Sequence, residues 1–278
     1  MTISSLPQDL SVFIRQPISA CIICFDEEDN IRRCLESLKW VKDSGGEIIV
    51  VDSFSTDRTV EICRQYTDKV FQNKWPGFVN QKNYVLKLAS HEWVLSLDAD
   101  EIISDQARFE IIQEWKSSGY EKYDGYYFKR HTFYLGKWIN HGGWYPDYKL
   151  RLFRRSKGKW GGSDPHDRVL INELALLKRF EGEIIHYTYK NISNQLKTID
   201  RFSDAASKEL LSQKNEFHLL YLLSRPPIKF LETYIWKAGF LDGLPGFIIA
   251  ILTSYYIFIK YAKLWEFTRP TKETKNGS

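Results

Sequence analysis

An α/β fold with a mostly parallel, Rossmann-like central sheet and a mixed second half is what this sequence predicts, and three observations predict it. Short apolar runs of strand character alternate with amphipathic helical patterns from Ile18 to Lys116, the order that builds parallel sheets through crossover helices. Three of those runs stop in acids: Ile18–Phe25 in Asp26-Glu27-Glu28, Glu47–Val51 in Asp52, and Trp93–Leu97 in Asp98-Ala99-Asp100-Glu101. From Gly125 the runs become aromatic-rich or alternating, which predicts mixed or antiparallel pairing.

Composition narrows the function. The chain has 278 residues, 43% hydrophobic and 27% charged, enough for one large domain with an extension. A net charge of only +4, with no basic run interleaved with aromatics, is too small to argue a nucleic-acid partner, and none is expected. A mildly basic balance is compatible with anionic substrates or an anionic membrane surface. The four cysteines, Cys21, Cys24, Cys34 and Cys63, fall in the first quarter. Cys21 and Cys24 have CxxC spacing. They sit in an apolar strand without a second pair, three apart and so on opposite faces; they read as small core residues in a reducing compartment. No basic-then-apolar leader opens Met1–Arg15.

Taken in order, residues 1–17 form a polar arm. The first strand leads into a helix with Ile31, Cys34, Leu35 and Leu38 inward. Gly45-Gly46 precedes the second strand, and Asp57 stands where it can cap the next helix. A short strand around Lys69–Phe71, a loop at Pro76-Gly77 and a helix over Val79–Leu88 follow; Lys82 lies near the start of that helix. After Leu97 come the acids, then a helix from Asp105. Tyr148–Arg155 alternates, which places Leu150 and Leu152 inward and Lys149 and Arg151 outward. Gly158–His166 reads as a glycine-rich loop. A charged helix spans about 193–213, and the character changes after Pro226-Pro227. The nearly uninterrupted apolar run Leu244–Ile259 falls short of the ~20 residues of a spanning helix. With Tyr255, Tyr256, Tyr261 and Trp265 beside it, 226–266 reads as helices lying in one leaflet of a membrane.

Acids on sister strand ends open onto the crevice where ligands of α/β sheets sit. Carboxylates side by side suit a hard divalent cation, whose remaining ligands come from substrate phosphates. A metal–diphosphate site at Asp98 and Asp100 is the reading this pattern supports.

Together, Asp26-Glu27-Glu28, Val51-Asp52…Asp57, Gly77…Lys82-Asn83 and Leu97-Asp98-Ala99-Asp100-Glu101 resemble the inverting GT-A glycosyltransferases of family 2. Tyr148-Lys-Leu-Arg151, His166-Asp167, Ile185-His186-Tyr187 and Gly239-Phe-Leu-Asp242-Gly243 resemble the bacterial lipopolysaccharide-core glucosyltransferases. The likeness spans about 18–266. It departs at Asp26, where the family usually has Asn, and at Asp167, where it usually has Glu.

The resemblance implies transfer of a hexose, glucose by analogy, from a UDP-sugar to a lipid-linked or lipopolysaccharide-core acceptor, with Mg²⁺ or Mn²⁺. It implies Glu27, Asp52, Asp57, Lys82 and Asp98 for the nucleotide sugar, and Asp100, Asp98 and His186 for the metal. Inversion needs one general base opposite the leaving group; Asp167 is the candidate and Asp164 the second. His141, Gly143, Trp144 and His166 are the candidates for the sugar and acceptor. The implied organisation is an arm (1–17), a catalytic domain (18–192, nucleotide-binding part 18–103, acceptor part 104–192), a connecting helical region (193–225), membrane-associated helices (226–266) and a polar tail (267–278). The implied place is the cytoplasmic face of the inner membrane, peripheral or monotopic. The competing readings are a transferase using a polyprenyl-linked glycan, a nucleotidyltransferase using the same Asp pair, and a membrane-bound binding module without catalysis. A nucleotidyltransferase would need a glycine- and arginine-rich phosphate loop after the first strand, where Phe25-Asp-Glu-Glu-Asp29 has the wrong charge.

Overall fold

The computed structural model describes residues 15–163, 166–213 and 216–269; most of the predicted arm and tail lies outside them. Two compact units divide the chain. One runs to Phe133 and resumes over Pro146–Thr188; the other joins Tyr134–Tyr145 to the chain from Tyr189.

Among the described residues the strands are β1 (Ile18–Cys24), β2 (Glu47–Asp52), β3 (Val70–Gln72), β4 (Trp93–Asp98), β5 (Glu101–Ile103) and β6 (Gly125–Tyr134). They continue with β7 (Lys137–Ile139), β8 (Asp147–Arg154), β9 (Gly158–Ser163), β10 (His166–Ile171) and β11 (Leu177–Tyr187). The helices are α1 (Ile31–Ser37), α2 (Lys39–Asp43), α3 (Thr59–Arg64), α4 (Phe78–Leu88), α5 (Asp105–Lys116), α6 (Ile192–Ser212), α7 (Leu219–Leu231) and α8 (Gly243–Thr268).

In the first unit the strand order is β3-β2-β1-β4-β8-β6-β11-β5. β1 pairs in parallel with β2 and β4, and β2 with β3. β8 runs antiparallel to β4 and β6, so the second half is mixed as the alternating runs predict. Every residue of β1 and β2 is buried, because helices cover both faces of the sheet. One face carries Ile22, Cys24, Leu35, Trp93 and Trp115, the other Cys21, Ile23, Val51 and Val85. The two CxxC thiols thus lie on opposite faces, and burial pushes the Cys21 thiol far up, away from reactivity.

The register of β1 puts Cys24 opposite Asp52 and Ile23 opposite Asp98, so two of the three acidic strand ends flank one strand. β4 and β5 are separated by Ala99 and Asp100 alone, yet they stand four ladder steps apart in the sheet. Four steps on a flat sheet cover roughly 19 Å, and three extended residues reach only about 10 Å. The sheet therefore curls until its far edge returns to the end of β4.

Three expectations are corrected. Arg151 is not outward: it is 4% exposed, because this part of the sheet is covered on both sides and the guanidinium is paired there. Gly158–Ser163 is not loop but strand, β9, which pairs antiparallel with β10. The Pro226-Pro227 pair does not begin a new element but lies inside α7.

The second unit is built on α6, α7 and α8. Tyr134, Ile139 and Ile249 form a small core with Trp144 and Tyr189 against it. Buried Asp242 accepts the backbone N–H groups of Asn140 (3.2 Å) and His141 (2.8 Å). The helix does not stop with the apolar run at Ile259. Tyr261, Ala262, Leu264 and Trp265 carry the helix to Thr268, and Gly239–Thr268, 30 residues, is long and apolar enough by length and composition to cross a membrane.

Candidate active site

The acidic stretch is organised around Asp98, whose two oxygens are both taken by cations. Lys82 Nζ, from α4, lies 2.7 Å from Oδ1, and Arg151 Nη2, from β8, lies 2.9 Å from Oδ2. Burial alone would push the Asp98 carboxyl up, but these two cations hold it well below the usual carboxylate range. Arg151 also donates to Glu101 Oε1 at 2.7 Å, and Asp98 N–H donates to Glu101 Oε2 at 3.1 Å. Glu101 is fully buried. Burial works to lower the Arg151 guanidinium pKa, and the carboxylates of Glu101 and Asp98 drive it higher still. Glu101 is therefore an internal counter-ion that fixes the arginine and, through it, Asp98.

Lys82 is 3% exposed and has a second carboxylate within reach, Asp167 Oδ2 of β10 at 2.8 Å. Its ammonium also lies 4.3 Å from the Trp160 ring centroid, a cation–π contact. The leading base candidate is thus joined to Asp98 through one lysine. Two buried donors of this cluster, Arg151 Nε–H and Trp160 Nε1–H, have no acceptor among the described residues.

Asp100 has a different partner. β11 pairs antiparallel with β5, with His186 opposite Glu101, and Tyr187 N–H donates to Asp100 O at 3.0 Å. That register brings His186 Nε2 to 3.2 Å from Asp100 Oδ2. Across the β6–β11 ladder, Thr132 Oγ1 lies 3.3 Å from His186 Nδ1. A proton on Nδ1 donated to Thr132 leaves Nε2 as a lone-pair donor, the orientation a metal ligand requires. Among the described residues no three acids, histidines or cysteines gather at metal-binding spacing. Asp98 is spent on its cations, so the donor set is one carboxylate and one imidazole. This fits Mg²⁺ or Mn²⁺, which take few protein ligands and complete their shell from phosphates and water.

The loops after β1 and β2 interlock through the remaining acids. Asp26, at φ 51°, accepts Thr56 N–H at 2.7 Å. Half-buried Glu27 accepts from the Asn30 amide at 2.8 Å. Asp52 is fully enclosed and accepts from Ser55 N–H, the Ser55 hydroxyl and the Gln72 amide. Asp57 accepts Thr59 N–H at 2.9 Å and Glu28 N–H at 3.1 Å. Burial pushes its carboxyl up, and the Thr59 hydroxyl together with these two N–H groups more than offsets that, leaving it below the ordinary value. Asp52 and Asp57 thus shape the two loops that meet above β1 and β2.

In the second unit, His141 Nδ1 lies 3.1 Å from Asp242 Oδ1. Gly143 has φ 79°, and a Cβ there would come within 2.8 Å of the Lys237 side chain. Trp144 packs edge-on to Tyr134. Asp164 and the side chain of His166 lie outside the described residues.

Arg151, Glu101 and Trp160 were not assigned roles from sequence. Arg151 stands within a quoted motif, but alternation cannot reveal that an arginine is paired inside a sheet covered on both faces.

The comparisons with known proteins agree with this architecture. The model of the family "Glycosyl transferase family 2" matches residues 19–175. A lipopolysaccharide core biosynthesis glycosyltransferase, LpsC, of Rhizobium meliloti (strain 1021) is 28% identical over 255 residues, 90% of this chain and 92% of its own length. A glycosyltransferase of Rickettsia typhi is 29% identical over 90% of this chain and 87% of its own. Among solved structures, a mannosyltransferase of Pyrobaculum calidifontis in complex with GDP-Man and Mn²⁺ has the same fold, with a TM-score of 0.52 at 13% identity over 91% of this chain and 88% of that one. This chain is a glycosyltransferase that belongs to glycosyl transferase family 2.

Proposed function

We propose that this enzyme transfers a hexose with inversion from a UDP-sugar, UDP-glucose being the first to test, to a lipid-linked or lipopolysaccharide-core acceptor. The observation that carries the reading is the junction of Asp98 and Asp167 through Lys82, which sets a carboxylate for the acceptor beside the strand end for the donor. Glu27 serves the nucleoside side, with Asp52 and Asp57 holding the loops around it, while Asp98 holds Lys82 and Arg151 in place at the strand end. Asp100 and His186 would hold Mg²⁺ or Mn²⁺, which when bound neutralises charge on the leaving diphosphate.

Asp167 serves as the base. The acceptor hydroxyl gives its proton to the carboxylate while its oxygen bonds to the anomeric carbon. The bond from that carbon to the diphosphate oxygen breaks, and its electron pair leaves with UDP. Among the described residues Lys82 is the hydrogen-bond partner of Asp167, through Oδ2, which leaves Oδ1 to take the proton. His141, Gly143 and Trp144 serve the sugar or the acceptor.

The acceptor reading draws on the lipopolysaccharide-core name of the Rhizobium relative and on a long apolar stripe. On α8, Leu244, Phe247, Ile251, Tyr255, Phe258 and Trp265 are all exposed and recur every three, four or seven residues, so they share one face. The opposite side of α8 is held by the charged helix α6: Ser207 donates to Lys260 O at 2.7 Å, and Lys263 pairs with Asp200 at 2.8 Å. A helix so flanked suits the membrane surface better than the bilayer centre. We place it on the cytoplasmic face of the inner membrane, where nucleotide sugars are available.

The test is UDP release from a panel of nucleotide sugars, with Mn²⁺ or EDTA, in the presence of lipopolysaccharide of truncated core. Metal-dependent release with one UDP-hexose is expected. No release from any sugar, together with no UDP binding by calorimetry, would refute the reading.

A further inference from the structure

We infer that Lys82 and Asn83, adjacent on α4, form a clamp that positions the base-bearing hairpin, and that Lys82 is a positioning residue rather than a ligand of the donor diphosphate. The inference rests on the proposed role of Asp167.

Asn83 treats β9 as a neighbouring strand would. Its amide nitrogen donates to Trp160 O at 2.9 Å, and its amide oxygen accepts Trp160 N–H at 3.0 Å. This two-way bond fixes β9 in both height and register. β9 then fixes β10, because Trp160 stands opposite Val169 and Gly162 opposite Asp167. Directly opposed residues of an antiparallel pair point to the same face, so Trp160, Val169 and Asp167 share the face that meets α4. Gly162 puts no side chain across from the Asp167 carboxylate.

Lys82 completes the clamp one residue earlier. Its ammonium bonds Asp167 Oδ2 and Asp98 Oδ1 and covers the indole of Trp160. An ammonium has three N–H donors. Two of them are spent on carboxylates, and the aromatic face closes another side. With 3% of the residue exposed, a diphosphate could reach this nitrogen only by displacing one of its own acids. Asn83 sets where the hairpin sits, and Lys82 sets where the Asp167 carboxylate points relative to Asp98. The order at the base is then fixed before an acceptor arrives, so the pair acts on turnover and not on donor affinity.

The experiment compares Asn83→Ala, Lys82→Met and Lys82→Arg with the parent enzyme. UDP binding is measured by calorimetry in Mn²⁺, and transfer is measured with the donor found in the panel above. The expected result is a UDP Kd within about threefold of the parent for all three. In the same variants kcat falls roughly tenfold or more for Asn83→Ala and further for Lys82→Met, with partial return in Lys82→Arg. Amide hydrogen exchange across Gly158–Ile171 should rise in Asn83→Ala. A tenfold loss of UDP affinity in Lys82→Met would restore it as a donor ligand and overturn the inference. So would an Asn83→Ala enzyme that keeps more than half its kcat, a variant mild enough to fold whatever befalls Lys82→Met. Asp167→Asn separates the two levels: full activity there removes the base reading itself, whereas an inactive Asp167→Asn beside a fully active Asn83→Ala removes only the clamp.

Discussion

Replacing Arg151 with methionine should be among the most damaging single changes in the first unit. Methionine keeps much of the side chain's volume and removes its charge. The fully buried Glu101 then loses its 2.7 Å donor and keeps Asp98 N–H at 3.1 Å, with Arg130 Nη1 at 3.8 Å. Removing one partner of a buried ion pair costs about 3–5 kcal/mol, since a charge is left uncompensated. Arg130 still attracts Glu101, by up to about 4 kcal/mol at an effective dielectric near 20, so the lower end, ~3 kcal/mol, applies. Asp98 adds little because Lys82 still holds its other oxygen. Neutralising the orphan as well, in Arg151→Met with Glu101→Gln, should recover about half the loss, a coupling of roughly 1–2 kcal/mol. The assay is urea unfolding followed by near-ultraviolet circular dichroism, which reads the packed Trp93–Trp115–Tyr126 rings of this unit. A single variant within about 1 kcal/mol of the parent, or a double variant no better than the single, would refute the counter-ion argument.

Other expectations follow from the same geometry. Thr132→Val removes the hydroxyl beside His186 Nδ1 at constant shape and should weaken Mn²⁺ support of UDP binding by about 10- to 100-fold; an unchanged Mn²⁺ titration would mean that His186 is not held as a ligand. Burial raises the Glu47 carboxyl, but Lys69, the Ser19 hydroxyl and Ser90 N–H bring it below its usual value. Glu47→Gln should therefore cost about 1–3 kcal/mol at pH 7. Because the folded pKa is the lower one, that gap is complete above the unfolded value near 4.3 and closes as pH falls through the folded one; urea midpoints showing a constant gap from pH 7 to 3 would contradict this. On α8, Phe247→Glu with Ile251→Glu should abolish flotation with anionic vesicles, since each lost apolar side chain is worth roughly 1.5–3 kcal/mol; flotation equal to the parent's would move the membrane surface elsewhere.

The parallel half of the sheet was legible because β1, β2 and β4 are short apolar runs with acids at their ends, and a strand covered on both faces has no other way to appear. Cys21 and Cys24 were placed on opposite faces by strand period alone. Arg151 was misread because period two says which residues share a face but not whether that face meets water. The β9–β10 hairpin was missed because glycines at 158, 161 and 162 read as loop, while its order comes from Asn83 and Lys82, some eighty residues upstream. β5, three residues long, carries no periodicity; only its ladder with β11 defines it. Pro226-Pro227 marked a change of composition rather than a boundary, and α8 outran its apolar run because Lys263, on the side packed against α6, is paired there with Asp200.

The two residues between β4 and β5 are also a tether. Because the sheet curls to bring its last strand home, Ala99-Asp100 is the covalent stitch that closes the curl. The spacing of the two aspartates is therefore a length as well as a chemistry. One residue added at this stitch would slide β5 a step along β11, turn Glu101 away from Arg151 and carry Asp100 out of line with His186. Either aspartate can be exchanged singly at the level of its own contacts, whereas the interval between them is bound to the closure of the whole sheet.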